Sequence, residues 1–250
     1  MSVLRLAAHI HSEWSYDGRW SLDEIGRGFE RRGYDAVLLC EHDRGFDADR
    51  WQAYRDACAN ASTAEMLLVP GIEYSDPTNT VHVPVWGKIP FLGEGLETAD
   101  LLRRVKRSGG VSVLAHPARR NALERLDDES LSYLTGVELW NRKYDGYAPS
   151  QVAISLLRRR PTLLPVVGLD FHTARQFHPL AMIIAGPNER SESGICAALR
   201  DGAAHATAFG LPAVKLASGL ALPAMCGLER ARRSVAAQIR AARRRGQIRA

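Results

Sequence analysis

The chain has 250 residues, 46% of them hydrophobic and 24% charged, the proportions of a globular protein with a sizeable core rather than a disordered or collagen-like chain. Its net charge of +5 is unevenly placed: residues 229–250 carry eight arginines (Arg230, Arg232, Arg233, Arg240, Arg243, Arg244, Arg245 and Arg249) against Glu229, a net of +7 that leaves the first 228 residues at −2. Four scattered cysteines, Cys40, Cys58, Cys196 and Cys226, have no C-x-x-C pair and exclude a disulfide-stapled scaffold.

The opening residues lack the long apolar core of a signal peptide. The longest apolar run, about 216–228, is too short for a bilayer and contains Pro223. A cytoplasmic protein with no transmembrane segment is expected. Residues 3–8 read as a strand. Ser21 and Glu24 then form a capping box, with Leu22, Ile25 and Phe29 at helical spacing and Gly33 as the stop. Strands follow at 35–40, 66–70, 81–86, 111–115, 137–140, 163–169 and 181–185, with helices near 47–61, 98–108, 128–134 and 149–159. A helix at 192–201 leads to strands at 204–209 and 213–217, and a last helix at 229–245. Strands alternating with helices predict parallel pairing. Seven or eight of them fit a closed (β/α) barrel over residues 1–228, with 229–250 as an Arg-rich helical tail outside it.

The histidines carry the chemistry. His9 and His11 follow the first strand, His42 the second, His116 the strand at 111–115 and His172 the strand at 163–169. Glu73 follows 66–70, Asp170 closes its strand, and Glu138 lies late in 137–140. Barrel active sites form at the C-terminal ends of strands, so these residues are expected at one mouth. Residues two apart on an extended segment point the same way, so His9 and His11 can face one ion. Imidazole with carboxylate suits zinc, iron or manganese and leaves room for water. His178 and His205 read as ordinary core or surface residues. His82 opens its strand, where a ligand and a structural role are both open.

These residues resemble the polymerase and histidinol phosphatase (PHP) superfamily of metal-dependent phosphoesterases. The resemblance rests on Ala7-Ala-His-Ile-His-Ser12 with Ser15-Tyr-Asp-Gly18, then Cys40-Glu-His42, Gly71-Ile-Glu73, Ala115-His-Pro117 and Gly168-Leu-Asp-Phe-His172, in the family's order over roughly residues 3–210. Ala7, Cys40-Glu41 and Leu169 depart from the family's Asp, Thr-Asp and Ser. The resemblance implies a distorted seven-stranded (β/α) barrel and two or three divalent ions. It assigns His9, His11, Glu73 and Asp170 to a first ion, and Glu73 and His116, with His82, to a second. Asp17, His42 and His172 go to a third. Glu73, Asp170 and His172 become the catalytic set.

The expected reaction is hydrolysis of a phosphate ester, with Arg119 and Arg175 as candidate grips for the phosphate. Three other readings stay open: a nuclease whose residues 229–250 bind nucleic acid, an amidohydrolase-type enzyme, and a non-enzymatic binding module. The tail lacks aromatic residues for base stacking, and the near-neutral body favours a small phosphorylated substrate. The tail is expected to be separable from turnover.

Overall fold

A computed structural model describes residues 3–185 and 190–247, with residues 242–247 as backbone alone. Twelve strands lie among the described residues: β1 (Val3–Ile10), β2 (Ala36–Leu39), β3 (Glu41–His42), β4 (Leu67–Val69), β5 (Gly71–Ser75), β6 (His82–Trp86), β7 (Val111–Leu114), β8 (Gly136–Asn141), β9 (Leu164–Gly168), β10 (Leu180–Ala185), β11 (Ala204–Ala208) and β12 (Leu211–Pro212). The helices are α1 (Leu22–Glu30), α2 (Ala48–Ala61), α3 (Thr98–Arg107), α4 (Asp128–Tyr133), α5 (Arg142–Asp145), α6 (Gln151–Arg159), α7 (Glu192–Arg200), α8 (Ala213–Leu216) and α9 (Ala221–Gln247). The α/β class is as the sequence implies.

Local chemistry explains the main elements. The Ser21–Glu24 capping box closes on α1, whose Ile25 and Phe29 are fully buried, each worth about 1.5–3 kcal/mol. Asp47 caps α2 through the Arg50 amide, and beyond its end Ser62 Oγ donates to the Cys58 carbonyl. The expected strand at 213–217 is instead the short helix α8, entered from Pro212. The last helix begins at Ala221 rather than 229. Pro223 is tolerated there because first-turn amides have no intrahelical partner to lose. The side chains of Arg243, Arg244 and Arg245, and all of Arg249, lie outside the described residues.

The strands form two six-stranded sheets, in the orders β12-β11-β10-β1-β2-β4 and β3-β5-β6-β7-β8-β9, not the single seven-stranded ring expected. The chain crosses between the sheets four times, from β2 to β3, β3 to β4, β4 to β5 and β9 to β10. Trp86 Nε1 donates across the seam between β6 and β2 to the Leu39 carbonyl at 2.6 Å. At the other edge the segment after β9 bonds to β1. Leu169 N reaches Ala8 O at 3.0 Å, Phe171 N reaches His9 O at 3.1 Å, and His11 N reaches Phe171 O at 2.9 Å.

Pairing is parallel for β1–β2, β2–β4, β3–β5, β7–β8 and β8–β9. It is antiparallel wherever β6, β10, β11 or β12 takes part, which corrects the all-parallel expectation. Between β5 and β6 the cause is a short connection, a turn too brief for a crossover helix. That reversal matters, because the start of β6 then lies at the same end as the close of β5, with His82 paired to Ser75.

Candidate metal centre

The ends of β1, β3, β5, β7 and β9 and the start of β6 deliver their polar side chains to one place. His9, His11, His42, Glu73, His82, His116, Asp170 and His172 are all buried. Three of them share a backbone device. His9, His116 and Asp170 have left-handed φ of 63°, 29° and 48°, each costing about 1–3 kcal/mol in a residue with a side chain. At His9 the pairing with β2 also slips register between Ala8 and Ile10. The H-x-H pair therefore converges through a bulge, which re-aims a side chain, and not by the plain alternation of a flat strand. The two rings end 5.2 Å apart.

Glu73 is the hub. Its carboxylate lies 3.2 Å from His9 Nε2, 3.6 Å from His11 Nε2, 3.1 Å from His42 Nδ1, 3.0 Å from His82 Nδ1 and 3.3 Å from His116 Nε2. Asp170 approaches the same group, with Oδ1 3.6 Å from His11 Nε2 and 3.3 Å from His172 Nδ1. Asp17, on the loop after β1, stands between His42 Nε2 at 3.2 Å and His172 Nε2 at 3.0 Å. The rings of His42 and His172 each lie 4.4 Å from that of His11.

His82 differs from the other imidazoles. Its Nδ1 bonds to Glu73 and its Nε2 to Asn79 Oδ1 at 2.6 Å, so both ring nitrogens are occupied. Arg119 lies beside it, with Nη1 3.1 Å from His82 Nε2 and donating to Asn79 O at 3.0 Å. Arg175 is exposed on the turn Ala174–Gln176 and makes no hydrogen bond or ion pair with the described residues of the centre. His178 is buried among Trp140, Tyr147 and Phe209, and His205 is exposed, as the bland reading of each expects.

Several contributors carried no assignment from sequence. Glu138 Oε1 accepts from His9 Nδ1 at 2.7 Å, and Oε2 accepts from His116 N at 2.8 Å and Asn141 Nδ2 at 2.7 Å. That bond keeps a proton on Nδ1, so Nε2, turned to Glu73, is the nitrogen His9 could offer to an ion. Gly168 makes this possible, since a Cβ there would stand 1.9 Å from Glu138 Oε1. Glu41 is committed elsewhere, accepting from Ser12 N, Ser12 Oγ, Ser15 Oγ and Tyr54 Oη. Lys143 Nζ lies 3.0 Å from Asp170 Oδ1, and the Tyr144 ring is 4.4 Å from that of His116. Only the position of Glu138 late in its strand could have signalled any of these.

The electrostatics are those of a site short of positive charge. Asp17, Glu73, Glu138 and Asp170 face one ammonium, that of Lys143. Burial opposes charge throughout, yet Glu138 and Glu73 hold the His9 pKa well above the histidine range. Against its burial, Asp17 and Glu73 push His42 up to about 10. Burial, aided by His42, drives His11 down. Despite burial, the carboxyls of Glu73, Asp170 and Asp17 sit well below their ordinary range because imidazoles, and at Asp170 also Lys143, surround them. Without a cation, protons on His9 and His42 answer part of the excess negative charge.

The residues present fit a metal. Nε2 of His9, His11, His42 and His172, Nδ1 of His116 and Oδ1 of Asp17 are buried with no hydrogen-bond partner. A buried orphan costs about 1–3 kcal/mol, and such a cluster calls for an ion. Ligand atoms of His11, Asp17, His42 and His172 lie within 4.8 Å of one another, as do those of His9, Glu73 and His116, and those of His9, His11 and Cys40.

No family model and no curated protein matches the sequence. Solved structures do match in fold. PsfC from Pseudomonas syringae PB-5123 aligns at 16% identity and TM-score 0.60, over 79% of this chain and 89% of that one. The lesion-specific endonuclease PfuEndoQ from Pyrococcus furiosus aligns at 12% and 0.59, over 80% of this chain and 56% of its own. A protein assigned as a metal-dependent phosphoesterase, from Bifidobacterium adolescentis, aligns at 17% and 0.47, over 67% and 87%. The chain shares its fold with PsfC and PfuEndoQ.

Proposed function

We propose that this chain is a metal-dependent hydrolase of phosphate esters acting on small substrates. One observation carries the reading: five imidazoles converge on the Glu73 carboxylate while buried nitrogens of the cluster stay unpartnered. His9, His11, Glu73 and Asp170 would hold one divalent ion, Glu73 and His116 a second, and Asp17, His42 and His172 a third. Zinc, manganese and iron all suit these donors. His82, with both nitrogens engaged, orients Glu73. Bound divalent ions supply Lewis acidity and bring the pKa of water toward neutrality.

The chain's own residues do the rest. Glu73, Asp170 and His172 are the catalytic set, Glu73 as the carboxylate common to two ligand groups. Lys143 and Arg119 on the rim present cationic nitrogens to a phosphoryl group, and Arg175 would reach it only by moving in from its exposed turn. Tyr16, 72% exposed, lays its ring parallel to His42 at 4.8 Å. It borders a cleft of about 340 Å³ that also includes Asp43, Arg44, Asp76 and Glu94. Those carboxylates oppose a polyanion such as nucleic acid. In the nuclease reading, the arginines of α9 would supply the nucleic-acid contacts.

No helix among the described residues is long and apolar enough to cross a membrane. The test is elemental analysis of the purified protein, then assay against phosphomonoesters, a phosphodiester and short oligonucleotides. Two or three metal equivalents and turnover of a small ester are expected. Well under one equivalent after reconstitution, or cleavage of oligonucleotides alone, would refute the proposal.

A further inference from the structure

Cys40 lies where the chain passes from β2 to β3, and its amide donates to the Ile10 carbonyl at 2.8 Å. That bond fixes it beside the strand end that carries His9 and His11. The side chain is fully buried, and its sulfur lies within 4.8 Å of a ring nitrogen of each histidine. Nε2 of both rings lacks a partner. His9 Nδ1 is taken by Glu138, so Nε2 is the nitrogen His9 has to offer.

We propose that Cys40 is a metal ligand, completing a sulfur-and-nitrogen set with His9 and His11 that biases this centre toward a thiophilic ion such as zinc or ferrous iron over manganese or magnesium. The proposal rests on the reading of the cluster as a metal centre and adds a ligand type that the expected nitrogen and oxygen set lacks. Two comparisons within the molecule support it. Glu41, the neighbouring candidate, spends its carboxylate on Ser12, Ser15 and Tyr54 and contributes nothing to the centre. Cys58 and Cys196 are equally buried, but among the described residues neither belongs to a group of potential ligands. Thiolate sulfur favours softer ions, whereas carboxylate and water favour manganese and magnesium. On binding, the Cys40 S–H bond breaks, the sulfur pair forms the bond to the ion, and the proton passes to solvent; nothing is oxidised or reduced.

The experiment is a cobalt(II) titration of chelator-stripped protein, read by absorption. Wild type should show visible ligand-field bands together with a near-ultraviolet thiolate-to-cobalt charge-transfer band. Cys40→Ser should keep the visible bands and lose the charge-transfer band. Its zinc affinity should fall at least about tenfold while manganese affinity stays nearly constant. Cys58→Ser and Cys196→Ser should keep the charge-transfer band. The wild-type spectrum decides the matter even where Cys40→Ser fails to fold. Visible bands without charge transfer in wild type would overturn the proposal and leave the metal centre standing. Absence of cobalt binding in wild type would overturn both.

Discussion

Glu138 offers the sharpest test of how the centre is held. In Glu138→Gln the shape is kept, but one oxygen becomes an NH₂ group. Three donors converge on the native carboxylate, His9 Nδ1 on one oxygen and His116 N with Asn141 Nδ2 on the other. The amide oxygen can serve only one side. If it serves His116 and Asn141, the NH₂ faces His9 Nδ1–H, and His9 must move its proton to Nε2, the nitrogen that should be bare. Losing one hydrogen bond to a charged group costs about 1.5–3 kcal/mol, which is roughly 10- to 150-fold in an equilibrium constant. The loss should appear in zinc affinity, measured by competition with a chromophoric chelator near neutral pH. Thermal midpoints of the metal-free proteins serve as the folding control. Affinity within about twofold of wild type, in a folded variant, would refute the idea that Glu138 fixes the His9 tautomer.

The remaining expectations are of different kinds. Glu73→Gln should abolish turnover and lower metal occupancy, whereas His205→Ala should behave as wild type; retention of more than about a tenth of the activity, a loss of only ~1.4 kcal/mol, would remove Glu73 from its central role. Burial, with Arg142 nearby, lowers the His178 pKa to about 4, so the unfolded chain takes up that proton first and its contribution to stability is lost as pH falls from about 6.5 toward 4. Denaturation of metal-free protein at several pH values should show a shallower acid loss in His178→Gln, and parallel curves would count against this. Glu229 is buried against Tyr147 N, Arg232 and Arg233, and Arg233 donates to Tyr144 O, next to Lys143. Removing residues 229–250 should therefore weaken turnover, while removing 234–250 should not; equal behaviour of the two would restore the separable tail inferred from sequence.

Much of this was legible because its causes are local. The capping box at Ser21 and the apolar spacing of Leu22, Ile25 and Phe29 specify α1 without reference to the rest of the chain. The histidines after strands converge because a strand's end fixes where its next residue goes. The sheet arrangement was not legible, since it depends on where strands reverse, and a short turn such as 76–81 does not announce its partner. Lys143 and Glu41 were missed for a related reason. Each reaches its partner across the fold, 27 residues away in one case and 29 in the other, and no spacing in the sequence encodes that distance. The left-handed backbone at His9, His116 and Asp170 was likewise invisible, because nothing in a histidine or an aspartate marks a bend that surrounding structure enforces.

The reversal of β6 also changes what the 76–81 turn can tolerate. Exposed hairpin turns are ordinarily where proteins accept inserted residues, and Pro77, Thr78 and Asn79 are exposed here. Yet Asp76 ties down Thr80 N at 2.6 Å and Val81 N at 2.9 Å, and that tie sets the phase in which His82 enters its strand. One added residue that slipped the pairing would swing His82 to the opposite face, away from Glu73, and would withdraw Asn79 from His82 and Arg119 together. In this chain the length of an exposed turn is thus a catalytic dimension, and relatives by descent should vary its composition more freely than its residue count.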